Sequence, residues 1–288
     1  HDTIQTTERE RRALDQASAQ IGNDLKAAAE GYASRSGQPI ADVYTMINGA
    51  LSGAPGTNAV LMQVDTVLHT RALAARRLMD QMSVAIATTM PVGPLRNAIV
   101  LNQGAWMKRA FAAFDAASGW NYDNLTAAAM AGRELNGRPA ADILRAAQRF
   151  LRVQNPQASA VEIEADLRDL MDRETWSNAM AGGAAVRKNV SSLITRRDIP
   201  KELRDVMGEE HNPVKRFQQS TGFQAQFIHR HQQQVAMRRI GLANGLFQTA
   251  RGGVYNVQVP AENARWSGLN GVWTTPQLWE AMQEMNAA

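Results

Sequence analysis

The sequence predicts an all-α protein, a multi-helix bundle or array followed by an extended glycine-rich C-terminal arm and a short terminal helix. Three observations lead to this prediction. About one residue in six is alanine and only 6% are aromatic, a mixture that favours thin, closely packed helices. Apolar residues recur at three- and four-residue steps over most of the first two hundred positions. Short joins rich in Gly and Pro separate these stretches, as is typical of antiparallel neighbouring helices.

The first helix is predicted from an apolar stripe that runs from Leu14 to Ala28 and ends at Gly31. Thr7 and Glu10 have the spacing of a capping box, in which a hydroxyl and a carboxylate satisfy amides at the start of a helix. Ser159 and Glu162 repeat that spacing. Further helices are predicted over residues 39–51, 58–89, 95–103, 105–117, 124–135, 139–153, 160–173 and 176–194.

The chain is expected to contain four consecutive segments. After Gly241 the composition and the apolar pattern change. Six glycines fall within residues 241–275, and a short alternating stretch near Val257 predicts one strand. This arm is expected to be extended and dependent on a partner, with a final helix after Thr275. The predicted segments are N-terminal amphipathic helices over 1–90, a helical bundle over 95–210, a basic Gln-rich helical segment over 211–240, and the arm with its terminal helix over 241–288.

Composition excludes several kinds of chemistry. Without cysteine the chain has no disulfide, thiolate zinc site, iron–sulfur cluster or cysteine nucleophile. His229 and His231 form the only close histidine pair, and no carboxylate lies near them in sequence, so we expect no metal and no cofactor. The weakly charged stretch 82–105 contains Pro91, Gly93 and Pro94 and lacks the continuous apolar run of a membrane-spanning helix.

Positive charge is concentrated in one part of the chain. The net charge is only +4, yet no Asp or Glu occurs between Glu210 and Glu262. Phe217, Phe223 and Phe227 are interleaved in this region and could stack on bases. Three interpretations stay open: a basic helical face packed against an acidic neighbouring subunit, a nucleic-acid contact, or contact with an anionic membrane surface. The candidate contact residues are Lys215, Arg216, Arg230, Arg238, Arg239 and Arg251.

Catalytic patterns are sparse in the sequence. No nucleophile elbow and no phosphate-binding glycine loop is present. The carboxylates between Glu162 and Asp172 have the offsets of a solvated helix face with ion pairs. Glu174 comes nearest to the catalytic acid of a helical cell-wall-cleaving enzyme, although a carboxylate near the positive dipole end at a helix start explains it far better. A peptidoglycan-degrading enzyme is therefore the weakest alternative.

One run of residues, from Ile99 to Phe114, resembles a pattern that recurs in the giant polyvalent proteins of bacteriophages. The pattern consists of Asn102, Gly104, Trp106, Arg109, Phe111 and Phe114 after an apolar stretch. The resemblance implies a very large virion protein, possessing helical modules beside domains such as a virion RNA polymerase, and ejected into the host. Packing explains the same residues without the family, because the glycine suits a tight turn and the aromatics suit a helix core.

These expectations combine into one interpretation of function. The sequence begins at His1 rather than Met, so we expect a portion of a longer chain. The resemblance implies a non-enzymatic helical module of a phage ejection or internal virion protein, located in the virion interior and delivered into the host envelope or cytoplasm. Its implied partners are portal, tail or other ejection proteins in an oligomeric assembly, with DNA and the host envelope as further candidates.

Overall fold

The structure is a computed structural model that describes residues 2–90, 94–101, 103–104, 111–114, 118–135, 137–172, 200–260 and 264–285. Most of these residues are helical, which confirms the all-α fold class and the multi-helix array. The helices are α1 Asp2–Ser36, α2 Ile40–Leu51, α3 Thr57–Val64, α4 Thr66–Thr89, α5 Pro94–Leu101, α6 Tyr122–Met130, α7 Ala140–Gln154, α8 Ala160–Met171, α9 Lys201–Val206, α10 Pro213–Ala243 and α11 Pro276–Met285.

The strands of the described residues are two residues long and form two antiparallel pairs. Strand β1 (Glu134–Leu135) pairs with β2 (Arg138–Pro139), and strand β3 (Val257–Gln258) pairs with β4 (Trp273–Thr274). The first pair was not expected, because a helix was predicted over 124–135. Helix α6 ends at Met130, and Gly132 follows it with a φ of 64°, a conformation that interrupts an α-helix and begins the turn into β1.

The chain divides into two compact units. Unit 1 comprises 1–108 together with 217–288, and unit 2 comprises 109–216. This division differs from the four consecutive segments expected from the sequence. The reason is that α10 makes side-chain contacts with α1 and α4 across more than a hundred residues of chain, as in the contact of Ser18 with Thr221. Sequence periodicity carries no information about such distant partners.

The N-terminal helix of unit 1 is longer than predicted. Helix α1 begins at Asp2 and continues to Ser36, so Thr7 lies inside the helix and is buried. The predicted capping box of Thr7 and Glu10 is therefore wrong. A hydroxyl within a helix cannot cap it, and Thr7 is turned instead towards the protein interior.

The helical run predicted over 58–89 is two helices separated at Asp65. Asp65 has an extended backbone and is the N-cap of α4, where its Oδ1 accepts a hydrogen bond of 2.7 Å from the amide of Leu68. That hydrogen bond and the guanidinium of Arg35 keep the pKa of Asp65 below its ordinary value, although burial opposes them. A capping carboxylate thus separates α3 from α4.

Unit 2 is organised around an aliphatic core. The helices α6, α7, α8 and α9 supply its fully buried side chains, which include Leu125, Ile143, Leu167 and Leu203. The Ser159 capping box predicted at the start of α8 is confirmed, because the amide of Ser159 donates to Glu162 Oε2 at 2.8 Å and the Glu162 amide bonds to the Ser159 hydroxyl.

The C-terminal part of unit 1 corrects the expectation of an extended arm. Residues 247–282 surround their own hydrophobic cluster, in which Val259, Leu269 and Val272 are completely buried and Trp266 packs against Trp279 with ring centroids 5.3 Å apart. Burial of these aromatic and aliphatic groups favours a compact arrangement over an extended one. The predicted strand and the terminal helix are both present, as β3 and α11.

Candidate anionic-partner interface

The six basic residues singled out in the sequence fall into two groups. Lys215 and Arg216 lie in the first turn of α10, and this turn belongs to unit 2 although the rest of the helix belongs to unit 1. Lys215 Nζ is 3.3 Å from Glu210 Oε2, and Arg216 is buried. Arg230, Arg239 and Arg251 are exposed and Arg238 is half-buried, all within unit 1. In unit 2 Lys215 is thus paired and Arg216 is withdrawn from solvent, whereas Arg230 and Arg251 of unit 1 are exposed.

A polar seam between α1, α4 and α10 determines which face of α10 points outward. The Ser18 and Thr221 hydroxyls are 2.5 Å apart, and Gln224 Nε2 donates to the Ser83 hydroxyl at 2.7 Å and to the carbonyl of Met79 at 3.2 Å. These side chains are buried. Their hydrogen bonds hold one face of α10 inward, so the opposite face meets solvent.

We call that opposite face the outer strip of α10. Its members are exposed and recur at three- and four-residue intervals, as one face of a helix requires. The strip contains Phe223, Gln226, Arg230, Met237, Ile240 and Asn244.

The glycine-rich segment packs against the C-terminal half of α10. His231 Nδ1 lies 2.9 Å from the Ser267 hydroxyl, and the amide of Gly268 donates to Gln234 Oε1 at 3.1 Å. A β-carbon on Gly268 would come within 2.6 Å of the carbonyl oxygen of His231. Only glycine permits this approach of two backbones, so this glycine serves packing and not chain extension.

The loop that follows α10 is tied back to the end of the helix. The Leu246 amide donates to the carbonyl of Gly241 at 2.8 Å, and the Tyr255 hydroxyl donates to the carbonyl of Gly245. The guanidinium carbon of Arg251 lies 6.0 Å from the centroid of the Trp273 ring, at cation–π distance. These contacts fix the loop that carries Arg251 beside the end of α10.

The exposed apolar side chains of this region were not anticipated from the sequence. Their exposed fractions lie between 43 and 66%. The three- and four-residue spacing along α10 is the signal that could have revealed part of the set. The residues are Phe223, Val235, Met237, Ile240, Leu246 and Val254.

Of the three aromatic residues expected to stack on bases, one is accessible. Phe217 is completely buried and Phe227 is half-buried, whereas Phe223 is 47% exposed. Phe223 lies almost two turns of α10 before Arg230. Arg251 lies beside the Trp273 ring, and the exposed apolar side chains of α10 and the loop after it are aliphatic apart from Phe223.

The histidine pair has separate partners. His229 Nε2 is 2.9 Å from Gln233 Nε2 and 3.7 Å from Glu8 Oε2, while His231 faces Ser267. Burial lowers the pKa of His231 below its ordinary value, because the interior disfavours the charged ring. Across the described parts of the chain, no three His, Asp or Glu side chains form a group that could hold a metal ion.

The resemblance pattern is divided between the two units. In unit 1 the amide of Gly104 donates to Asp80 Oδ1 at 2.9 Å, and the φ of Gly104 is 80°. In unit 2 Phe111 forms a backbone bridge with Glu209, and Phe114 ends a 3₁₀ turn, Ala112–Phe114, where an α-helix was predicted. The remaining members of the pattern lie outside the described residues: Asn102, Trp106 and Arg109.

Two further hypotheses from the sequence can be compared with the described residues only in part. Glu174 and the helix predicted over 176–194 lie outside the described residues. The carboxylates of α8 do form surface ion pairs, since Arg168 Nη2 is 2.7 Å from Asp123 and 3.2 Å from Glu164, yet Asp166 of the same run is buried. None of the described helices is long and apolar enough to span a membrane.

Comparisons with known proteins give no match for this chain, whether with family models, with curated proteins or with solved structures. The interpretation of function therefore depends on the geometry described above and on the residues themselves.

Proposed function

We propose that this chain is a structural helical module of a bacteriophage virion protein, one that is ejected into the host cell and acts by binding its neighbours rather than by catalysis. The polar seam between α1, α4 and α10 carries this proposal. Its buried contacts use small or neutral polar groups, such as Ser18, Thr221 and Ser83, which let long helices approach closely.

The seam supports the proposal because it specifies one register between helices. A hydrogen bond between buried hydroxyl and amide groups is satisfied in one alignment of two helices, and a shifted alignment leaves buried groups unpaired. At Gly22 the Gln218 side chain lies over α1, and a β-carbon there would be 2.8 Å from Gln218 Nε2. A module that unfolds in a narrow conduit and reforms afterwards needs such a constraint, and the absence of cysteine prevents misplaced crosslinks.

The partners in this proposal are other virion proteins of the portal, the tail or the ejection apparatus. The similarity of the run from Ile99 to Phe114 to giant polyvalent phage proteins supports the assignment to a virion. This assignment implies that the chain is located in the virion interior before infection and in the host envelope or cytoplasm afterwards. No cofactor enters the proposal.

Mass spectrometry of purified virions tests the proposal. Peptides of this chain should be present in intact particles and absent from emptied particles after ejection. Absence of the chain from intact particles would overturn the assignment. A second measurement concerns the seam, because hydrogen exchange of α10 should return to its native pattern after complete unfolding in urea and dilution.

A second candidate function is contact with an anionic partner through the basic segment 211–251, for which the sequence indicated nucleic acid. Exposed Arg230 and Arg251 favour it, since the chain offers no carboxylate between Glu210 and Glu262 to neutralise them locally. Binding to DNA should weaken steeply with salt if phosphates make the contact. No measurable binding at low salt would remove nucleic acid as the partner.

A further inference from the structure

We infer that the anionic partner of this surface is a phospholipid bilayer, contacted by the end of α10 and the loop that follows it. The inference rests on the anionic-partner candidate and is independent of the virion assignment. We call the region the aliphatic–arginine surface, and it comprises Arg230, Arg251, Met237, Ile240, Leu246 and Val254.

The aliphatic members of this surface lie at the end of α10 and in the loop that is tied back to it. Met237 and Ile240 lie one turn apart on the outer strip of α10. Leu246 folds back to the helix end through its amide bond to the carbonyl of Gly241, and Val254 is held nearby because the adjacent Tyr255 bonds to the carbonyl of Gly245. The four aliphatic side chains thus extend from the helix into the loop as one exposed region.

Charge complementarity argues that the occupant is anionic. Within the described residues, Arg230 forms no ion pair, and Arg251 contacts the uncharged ring of Trp273. Two carboxylates of α1 contact α10 at other residues, since Glu8 approaches His229 and Glu10 accepts a hydrogen bond from Gln232. Arg230 lies about 100° or more around the helix from both of these residues, so neither carboxylate pairs with it.

The aliphatic side chains decide between two anionic partners. Single-stranded nucleic acid is bound by basic grooves whose aromatic side chains stack on bases, and two of the three candidate phenylalanines are not available for stacking. Met237, Ile240, Leu246 and Val254 cannot stack in this way. They can enter the boundary between headgroups and acyl chains, while neighbouring arginines contact lipid phosphates.

Vesicle binding of the full 288-residue chain tests the inference. The chain should co-sediment with vesicles containing phosphatidylglycerol and phosphatidylcholine, and much less with phosphatidylcholine alone. Replacing Met237 and Ile240 together by Ser should weaken that binding roughly tenfold, because their apolar surface no longer enters the bilayer. Replacing Arg230 and Arg251 by Gln should weaken it roughly thirtyfold, since each arginine near an anionic surface contributes about fivefold.

Matched controls come from unit 2. Met130→Ser with Val161→Ser removes two equally apolar side chains that are 85% and 76% exposed, and Arg149→Gln with Arg152→Gln removes two exposed charges. Neither control should alter binding. An equal loss in a control pair would show that the contact is not confined to the aliphatic–arginine surface, and the inference would fall.

The absence of native cysteine permits a direct measure of depth. A polarity-sensitive dye on Ile240→Cys or Val254→Cys should shift to the blue with phosphatidylglycerol vesicles, whereas the same dye on Met130→Cys should not. Dyes that stay in water, or binding unaffected by Met237→Ser with Ile240→Ser, would overturn the inference.

A measurement of DNA binding under the same conditions distinguishes the bilayer inference from the broader proposal of an anionic partner. Binding to DNA without binding to vesicles would overturn the bilayer and retain an anionic partner. Binding to neither would overturn both, and the virion assignment would still stand on the mass spectrometry of particles. Vesicle binding that is lost in both surface variants and kept in both controls supports the bilayer.

Discussion

Units 1 and 2 bury polar side chains of different kinds. In the described part of unit 1 the buried polar groups are mostly neutral, as in Ser18, Thr221 and Gln224 of the polar seam. In unit 2 they are charged, and Asp205 is the example, because it is buried between Arg138 and His211. Both units contain fully buried aliphatic side chains, such as Leu25 and Leu68 in unit 1 and Leu167 in unit 2. The difference is that unit 1 adds the hydroxyl and amide contacts of the polar seam, whereas unit 2 adds buried charged groups.

The difference teaches how each unit obtains a unique packing. An aliphatic core is stabilised by the area that it removes from water and tolerates changes of shape. A neutral polar seam contributes less net free energy and imposes an alignment, because each misplaced group leaves a buried partner unpaired. Lost volume should therefore destabilise the core of either unit, whereas a lost neutral hydrogen-bond partner should matter most in the polar seam of unit 1.

The largest expected effect is in the aliphatic core. Leu167→Ala should lower the free energy of unfolding of unit 2 by about 3 kcal/mol, since Leu167 is completely buried and its removal leaves a cavity. Urea unfolding followed by hydrogen exchange of α7 and α8 would measure it. Val161→Ala on the same helix is the control, because Val161 is 76% exposed and its loss should change little.

The next effect concerns the backbone contact between Gly268 and α10. Gly268→Ala should destabilise the docking of residues 257–274 by about 2 kcal/mol, because the new methyl group meets the carbonyl oxygen of His231. Faster hydrogen exchange confined to this segment is the expected observation. Gly222→Ala is the matched control, with nothing within 4 Å of its β-carbon, and should be neutral or slightly stabilising.

A smaller effect is expected in the polar seam, where a double-mutant cycle applies. Thr221→Val keeps the volume and deprives Ser18 of its partner, which should cost about 1 to 2 kcal/mol. The double variant Ser18→Ala with Thr221→Val should recover part of that loss, since neither partner is left unpaired. Additive losses in urea unfolding would contradict a coupled pair.

The smallest effect is a dependence of unit 1 on pH. Burial lowers the pKa of His231, so the unfolded chain binds a proton more readily than the folded one. The contribution of neutral His231 is present above about pH 6.5, the ordinary value, and stability is lost as pH falls below it towards the lowered pKa. His231→Gln should flatten the pH profile of hydrogen exchange near Ser267. Glu10 and Arg239 line a cavity together with His231. Both charged residues are therefore kept unchanged when the pH profiles of the original chain and of His231→Gln are compared.

Unit 2 should lose stability to acid at a lower pH than unit 1. Burial by itself would raise the pKa of Asp205, but hydrogen bonding to His211 and the charge of Arg138 outweigh it and hold the pKa below its ordinary 3.8. This contribution is present above that pH and is lost as pH falls through the lowered value. Arg138→Gln should move the acid loss of stability of unit 2 to a higher pH, because the pKa of Asp205 is then held down less. Urea unfolding at several pH values measures this shift, and an unmoved acid profile would contradict the role of this pair.

Local patterns were predictable wherever neighbours along the chain determine the structure. The capping box of Ser159 and the short strand near Val257 are both present, because they depend on residues close in sequence. Thr7 has the same local pattern as Ser159 and is not a cap, since α1 continues through it. For the site, sequence identified Arg230, Arg238, Arg239 and Arg251 as a basic region, yet it could not separate them from buried Arg216.

The sequence by itself determined that the chain is helical and that its positive charge is concentrated between Glu210 and Glu262, because periodicity and composition are local properties. Only the tertiary structure decided which side of α10 is exposed and that the glycine-rich segment is compact. Ser18, Ser83 and Gly268 are partners of α10. They lie outside this helix in the sequence and meet it only in the folded chain. Burial depends on such distant contacts, and they turn a basic segment into a surface of exposed arginines and aliphatic side chains.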